Sequence, residues 1–229
     1  MTDLTVVFDL DGTLVDTAPD LIATLNVVLV NEGLPPVEYA KARTMIGGGA
    51  RRMIEAGLTL EGRTAAPSEI ERMLQDFIAY YAAHVADSSR AFPGLDDALD
   101  QLAAAGCRLA VCTNKLERLS RLLLDALGLT ARFGAICGPD TFGIPKPNPE
   151  ILRRTIMAAG GRVAGAVMVG DSGTDIETAR AAKVPVVAVD FGYSDPPVAQ
   201  LKPDRLIGHF SELVPALMEL APNLGPSRP

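Results

Sequence analysis

Short apolar runs rich in β-branched residues recur along the chain, and segments of helical spacing separate most of them. Six such runs predict buried strands, at residues 5–9, 108–113, 134–137, 164–170, 184–190 and 205–207. Helices are predicted between them, at 95–105, 116–127, 149–159 and 175–182. Strands that alternate with helices indicate an α/β fold, in which a doubly wound, Rossmann-like parallel sheet carries helices on both faces.

Residues 16–89 break this alternation, because they show helical patterns and no convincing strand. Helices are predicted from about 17 to 31 and over 38–44, 50–57 and 68–85. This stretch is too long for an ordinary crossover between two strands. We therefore expect residues 1–15 and 90–229 to form a core domain, with residues 16–89 inserted as a small helical domain.

Composition and charge exclude several classes of protein. Of the 229 residues, 48% are hydrophobic and 21% are charged, which is typical of a globular protein. The net charge of −7, with no basic run, gives no electrostatic basis for binding nucleic acid or an anionic membrane. No apolar stretch approaches the length of a membrane span. Only the Pro- and Gly-rich tail, 222–229, is expected to be disordered.

The chain start and the cysteines indicate a cytoplasmic location. The first residues lack the basic region of a signal peptide. Cys107, Cys112 and Cys137 are odd in number and lie in apolar surroundings, which favours a reducing compartment.

Two carboxylates follow the first predicted strand. Asp9 and Asp11 are two residues apart, so on an extended chain they point to the same side. A hard cation such as Mg²⁺ would offset their repulsion. The alternative is a solvated turn, since Asp is a common turn former.

Other polar residues follow the second strand and a proline-rich loop. Thr113 and Asn114 could bind phosphoryl oxygens through a hydroxyl and a main-chain N–H, or could simply cap a helix. Lys146 lies among three prolines that fix its backbone, so it could be aimed at an anion or at the two aspartates. Otherwise it is an exposed loop lysine.

A further pair of carboxylates follows the strand predicted at 164–170. Asp171 could complete a magnesium site and Asp175 could hold Lys146, although an Asp turn with a helix cap is the alternative for both. In an open parallel sheet, ligands bind at the carboxyl ends of the strands. All four polar clusters fall at or just beyond such ends, and together they predict a phosphoryl-transfer site.

These four elements, in this order, resemble the haloacid dehalogenase superfamily of phosphohydrolases. The resemblance spans Asp9-Leu10-Asp11-Gly12-Thr13, Thr113, Lys146, and Asp171 with Asp175, and it covers essentially the whole chain. The helical insertion resembles the cap domain of the phosphoglycolate-phosphatase-like branch of that superfamily.

The resemblance implies a role for each candidate residue. Asp9 is the expected nucleophile, and Asp11 first protonates the departing oxygen and then activates water. Mg²⁺ is expected to be held by the Asp9 carboxylate, the Asp11 carbonyl and Asp171. The groups expected to bind the transferring oxygens belong to Thr113, Asn114 and Lys146. Asp175 is expected to orient Lys146.

The expected substrate is a small phosphorylated metabolite, with 2-phosphoglycolate first among the candidates. The segment 46–50 is glycine-rich, opens a predicted helix and resembles a segment of phosphoglycolate phosphatases. Its N–H groups could bind a carboxylate, with charge added by Arg51, unless that arginine is simply solvated. Gly47, Gly49 and Arg51 are therefore the candidate specificity residues.

Several alternatives stay open. Sugar-phosphate, nucleotide and pyrophosphate phosphatases have related caps. A β-phosphoglucomutase-like phosphotransferase is disfavoured, because Leu21 stands where that group has a cap histidine. A non-catalytic module that binds Mg²⁺ or phosphate is disfavoured, because every expected carboxylate is present. The sequence does not decide between a monomer and a homodimer.

Overall fold

A parallel six-stranded sheet is the centre of the computed structural model, which describes residues 3–220. The strands are, in chain order, β1 (Thr5–Phe8), β2 (Val15–Asp16), β3 (Arg90–Ala91), β4 (Arg108–Cys112), β5 (Ala135–Cys137), β6 (Ala166–Gly170), β7 (Val186–Val189) and β8 (Arg205–Ile207). The sheet has the order β5-β4-β1-β6-β7-β8, and each neighbouring pair is parallel. The chain extends the sheet first to one side of β1 and then to the other. Ligands bind at such a switch point in doubly wound sheets.

Helices cover both faces of this sheet. The helices of the described chain are α1 (Ala18–Asn31), α2 (Tyr39–Arg43), α3 (Ala50–Leu60), α4 (Pro67–Ala83), α5 (Leu95–Ala104), α6 (Glu117–Ala126), α7 (Pro139–Phe142), α8 (Pro149–Ala158), α9 (Gly173–Ala182) and α10 (Leu213–Leu220). Val6 and Phe8 of β1 belong to one core cluster with α5, α6 and α10, whereas Val7 belongs to another with α8 and α9. Alternate side chains of a strand point to opposite faces, so the prediction of a doubly wound parallel sheet is confirmed.

The core strand β1 has no accessible side chain. Each of its four residues is fully buried, and a buried Val or Phe side chain contributes about 1.5–3 kcal/mol relative to an exposed one. The strand is therefore a rigid support for the polar residues that follow it.

Helices α1–α4 enclose a third hydrophobic cluster, separate from the two on the sheet. It includes Leu25 of α1, Met53 of α3 and Phe77 of α4. The chain enters and leaves this helical unit through β2 and β3, which pair antiparallel. This short pair was not predicted, since two residues are too few to show an alternating pattern.

Other departures from the predicted elements have local causes. Gly57 was expected to end α3, but the helix continues to Leu60 because Gly57 is buried against α1. A Cβ atom at Gly57 would lie 3.0 Å from Leu29 Cδ1, so the glycine permits close helix packing. The strand predicted from 164 begins at Ala166, because Val163–Gly165 forms a 3₁₀ turn.

Within residues 3–220, no helix is both long enough and apolar enough to cross a membrane. The tail 222–229 lies outside the described residues.

Candidate active site

The carboxyl end of β1 places a buried carboxylate beside a buried lysine. Asp9 follows the last residue of β1, and its Oδ1 atom accepts a 2.7 Å hydrogen bond from the N–H of Leu10. Its Oδ2 atom lies 2.9 Å from Nζ of Lys146. Nζ also lies 2.6 Å from Oδ1 of Asp175, so one ammonium group bridges two carboxylates. The structure thus brings together Asp9, Lys146 and Asp175.

Burial and charge act in opposite directions on this group. Burial raises the pKa of Asp9, Lys146 lowers it and Asp175 raises it again, with a result of about 6. For Lys146, burial alone would lower the pKa, but Asp175 and Asp9 raise it above its ordinary value. Lys146 therefore keeps its positive charge at neutral pH. A cation held 2.9 Å from Asp9 is well placed to bind the oxygens of an anion that lies beside this carboxylate.

Asp171 is held in one orientation by two hydrogen bonds. Its Oδ1 atom accepts from the hydroxyl of Thr13 at 3.0 Å, and its Oδ2 atom accepts from the N–H of Tyr193 at 2.8 Å. Burial raises the pKa of Asp171, and the charges of Asp175 and Asp9 raise it further, to about 8. This carboxylate carries uncompensated charge when ionised.

Glycines make room for Asp171 on two sides. A Cβ atom at Gly12 would lie 2.5 Å from Asp171 Oδ2, and one at Gly192 would lie 2.2 Å from Asp171 Cβ. Gly12 also has a φ of +80°, which L-residues rarely adopt. The close approach explains why glycine occupies both positions.

The carboxylates form a cluster suited to a hard divalent cation. One oxygen from each of Asp9, Asp171 and Asp175 lies within 4.8 Å of the others. Asp175 is already engaged, because Oδ1 contacts Lys146 and Oδ2 accepts from the hydroxyl of Ser172 at 2.6 Å. Among the described residues, Asp175 accepts from three donors, whereas Asp9 and Asp171 accept from two each. Asp9 and Asp171 are therefore the better candidate ligands, and carboxylate oxygens are what Mg²⁺ prefers. The raised pKa values of Asp9 and Asp171 indicate a site of negative charge, and a bound cation would reduce the repulsion between the carboxylates.

Thr113 and Asn114 follow β4, next to β1. Thr113 is buried, and its hydroxyl oxygen accepts from the N–H of Lys115 at 3.2 Å. The Asn114 side chain accepts from the N–H of Lys146 at 2.9 Å and donates to the Lys146 carbonyl at 3.3 Å. In this conformation the Asn114 amide holds the Lys146 loop, so a contact with phosphate would come from its main-chain N–H.

Asp11 lies at the same edge, but its carboxylate turns towards a residue that the sequence analysis missed. Nζ of Lys115 donates to Oδ1 and Oδ2 of Asp11 at 2.7 and 2.8 Å. The hydroxyl of Thr17 donates to the same Oδ1 at 2.7 Å. Lys115 was overlooked because a lysine before a helix is usually exposed. Its place directly after Thr113 and Asn114 was the available signal.

A cavity of ≈ 400 Å³ connects these groups with the helical unit. Its floor includes Asp9, Asp11, Lys115 and Lys146, and its roof comes from α1, α3 and α4. The glycine-rich segment 46–50 also lines it, and the Gly47 carbonyl accepts a 3.4 Å hydrogen bond from Asn114. The cavity thus lies between the sheet and the helices.

The three candidate specificity residues lie along this cavity. Gly49 immediately precedes α3 and has a φ of +86°, which a residue without a side chain adopts readily. Arg51 is 46% exposed and forms an ion pair with Glu71 of α4. Arg51 therefore lies at the solvent side, with its charge already partnered.

Comparison with known proteins gives one consistent family. A family model described as haloacid dehalogenase-like hydrolase matches residues 6–189. A phosphoglycolate phosphatase of Mesorhizobium japonicum is 47% identical over 214 residues, which cover 93% of this chain and 94% of the relative. One from Agrobacterium fabrum is 46% identical, with 93% and 91% covered.

A solved structure gives the same result for the fold. The crystal structure of a predicted phosphoglycolate phosphatase from Haemophilus somnus has a TM-score of 0.86 and 30% identity, with 95% of this chain and 99% of that chain covered. The resemblance noted in the sequence is confirmed by these matches. The chain belongs to the haloacid dehalogenase-like hydrolase family.

Proposed function

We propose that this protein is a Mg²⁺-dependent phosphatase that hydrolyses a phosphate monoester through an aspartyl-phosphate on Asp9, with 2-phosphoglycolate as its substrate. The observation that carries the proposal is the buried pair of Asp9 and Lys146, 2.9 Å apart, at the floor of the cavity. In this proposal Asp9 is the nucleophile, and Lys146 is the cation that binds the oxygens of the group it attacks. The phosphoglycolate phosphatases named above support the choice of substrate.

The proposed reaction has two steps. A carboxylate oxygen of Asp9 attacks phosphorus, the bond from phosphorus to the ester oxygen breaks, and Asp11 donates a proton to the departing alkoxide. Water then attacks the phosphorus of the aspartyl-phosphate and gives a proton to Asp11, while the bond from phosphorus to the Asp9 oxygen breaks. Inorganic phosphate leaves, and both aspartates return to their first state. Lys146, Thr113 and the N–H of Asn114 would bind the transferring oxygens throughout.

Asp9, Asp171 and the carbonyl of Asp11 would hold the metal. When bound, Mg²⁺ would reduce the repulsion between the attacking carboxylate and the phosphate. Thr13 and the N–H of Tyr193 keep Asp171 oriented, and Asp175 keeps Lys146 in place. Each of these contacts is made by this chain before substrate arrives, which lowers the cost of assembling the site.

The helical unit of residues 16–89 is proposed to act as a cap that closes over the substrate and excludes water. Its helices α1, α3 and α4 supply side chains to the cavity roof, and its two linkers run through β2 and β3. The linkers near Asp16 and at 88–92 are the proposed hinges.

A β-phosphoglucomutase-like enzyme would need a cap histidine at the position of Leu21, which is buried in the cavity wall. We also propose a cytoplasmic location, on the basis of the cysteine surroundings described above.

The substrate assignment is tested by kcat/KM with Mg²⁺ on 2-phosphoglycolate, sugar phosphates, nucleotides and pyrophosphate. A preference for 2-phosphoglycolate of about tenfold or more, about 1.4 kcal/mol, is expected. A flat profile would contradict the substrate and leave the Asp9 chemistry standing. EDTA should abolish turnover, and added Mg²⁺ should restore it; full activity in excess EDTA would contradict the metal assignment.

A further inference from the structure

Lys115 is a buried cation that has no role in the reaction proposed above. It is 7% exposed and lines the cavity. Its Nζ atom forms an ion pair with both carboxylate oxygens of Asp11, at 2.7 and 2.8 Å. Lys146 is ion-paired with Asp9 and Asp175. Lys115 is therefore a second cation on the cavity floor that a ligand could contact.

Tyr81, which lies opposite Lys115, carries an unused donor. Nζ of Lys115 lies 4.5 Å from the centroid of the Tyr81 ring, a distance typical of a cation–π contact. Tyr81 belongs to α4, is fully buried and lines the cavity. Its hydroxyl oxygen lies close to the Lys115 ammonium, but the hydroxyl proton has no acceptor among the described residues. Burial raises the pKa of Tyr81 to about 12, so the phenol keeps its proton at neutral pH.

A buried hydroxyl without a partner costs free energy, and a bound ligand would recover it. An acceptor placed between this hydroxyl and the Lys115 ammonium would satisfy both. A carboxylate has two acceptor oxygens, and one could reach each group.

We propose that Lys115 and Tyr81 together bind the carboxylate of the leaving group, and so select a phosphorylated hydroxy acid over other phosphate monoesters. This inference rests on the proposed function, because it names the residues of the same site that bind the glycolate end of the substrate. On binding, the substrate carboxylate replaces Asp11 as the partner of Lys115. Asp11 then takes up a proton from water, turns towards the ester oxygen, and loses that proton again when it returns to Lys115 after turnover.

The distances favour this placement. Asp11 must reach the ester oxygen, and Lys115 contacts Asp11 at 2.7 Å. In 2-phosphoglycolate a single CH₂ group separates the ester oxygen from the carboxylate, so the two ends must be bound close together. Arg51 meets this requirement less well, because it is 46% exposed and paired with Glu71.

The charge of the leaving group determines the proposed selectivity. Exchange of one carboxylate for another keeps Lys115 paired in the closed cavity. A neutral leaving group would offer no such exchange and would leave Asp11 held by Lys115, so its reaction would be slower.

The test uses two substrates that differ in one group. Ethyl phosphate has a methyl group where 2-phosphoglycolate has its carboxylate. In Lys115→Met, which keeps the length of the side chain, kcat/KM for 2-phosphoglycolate should fall by about 30-fold or more, whereas that for ethyl phosphate should rise, because Lys115 no longer holds Asp11. Tyr81→Phe removes only the hydroxyl, and it should lower the ratio of kcat/KM for 2-phosphoglycolate to that for ethyl phosphate by about tenfold. It also provides the test if Lys115→Met does not fold.

A binding measurement supplies a readout that does not depend on turnover. 3-Phosphonopropionate has CH₂ in place of the ester oxygen, and calorimetry with Mg²⁺ should show it binding more weakly to both variants than to the wild type. Propylphosphonate, without the carboxylate, should bind all three proteins equally. Equal losses for both substrates would assign Lys115 to the positioning of Asp11 and overturn the inference.

The inference and the proposed function fail in different ways. If the wild-type enzyme does not prefer 2-phosphoglycolate to ethyl phosphate, the substrate assignment is wrong, and the inference is wrong with it. If the wild type shows that preference and Lys115→Met keeps it, the inference alone is wrong.

Discussion

Tyr193 holds Asp171 through its main chain and holds the beginning of α1 through its side chain. The N–H of Tyr193 donates to Asp171 at 2.8 Å, and its hydroxyl donates to Asp16 at 2.6 Å. The same hydroxyl oxygen accepts from the N–H groups of Thr17 and Ala18 at 2.7 and 3.0 Å. A proposed metal ligand and a proposed hinge are thereby joined by one residue.

Tyr193→Phe should destabilise the protein by about 1–3 kcal/mol, because buried N–H groups at the start of α1 lose their acceptor. Tyr39→Phe is the matched control, since Tyr39 is 47% exposed. Urea unfolding would measure both. Equal stability of the Tyr193 variant and the wild type would contradict a role for the hydroxyl in holding α1.

Asp20 should have a similar importance for the second linker. Its buried carboxylate accepts from the N–H groups of Ser88 and Ser89 at 3.0 and 2.8 Å and from the Ser89 hydroxyl at 2.6 Å. Asp20→Asn replaces an acceptor oxygen by a donor and should cost about 2 kcal/mol or more. Asp76→Asn, at a residue whose side chain is 55% exposed, should change the free energy of unfolding little. Similar effects of the two substitutions would rule out this role for Asp20.

Gly12 offers a test of the close approach to Asp171. Gly12→Ala combines a left-handed backbone with a Cβ atom 2.5 Å from an Asp171 oxygen. Gly62 has a φ of +64° and nothing within 4 Å, so Gly62→Ala reports the backbone strain alone. Calorimetry should show weaker Mg²⁺ binding for the Gly12 variant only. Unchanged binding would mean that Asp171 moves aside without loss.

The pH dependence of stability follows from two carboxylates. The pKa of Asp9 rises from 3.8 to about 6 and that of Asp171 from 3.8 to about 8, in both cases chiefly through burial. The folded metal-free protein therefore binds more protons than the unfolded chain between about pH 4 and 8, so its stability should fall as the pH rises through that window.

Mg²⁺ should reverse this trend, because it competes with those protons, and its affinity should increase between about pH 6 and 8. Melting temperatures from pH 5 to 8.5, with EDTA and with Mg²⁺, would show the two curves diverging as the pH rises. Parallel curves would contradict the assignment of Asp9 and Asp171 as ligands.

The sequence predicted the sheet well because buried strands leave a strong local signal. Val6, Val7 and Phe8 form a short apolar run of β-branched and aromatic residues, which is typical of a buried strand. Gly57 was misread because a glycine that ends a helix and one that lets two helices approach look the same in a sequence.

The core candidates were found because they directly follow strands. Asp9 and Asp171 come just after β1 and β6, and parallel strands bring their carboxyl ends together. The partners that hold them were missed, because their roles depend on tertiary contacts. Tyr193 is 22 residues from Asp171. Lys115 and Asp11 are 104 residues apart, and no local pattern reveals their pairing.

Asp9 is the residue that we propose to carry the phosphoryl group. The most direct measurement is rapid quenching of the enzyme during turnover of 2-phosphoglycolate, followed by borohydride reduction and peptide mass spectrometry. Reduction converts a phosphorylated aspartate into homoserine. We expect homoserine at position 9 in the wild type and none in Asp9→Asn, which should be inactive but folded. Homoserine at another aspartate, or rapid turnover by Asp9→Asn, would contradict it.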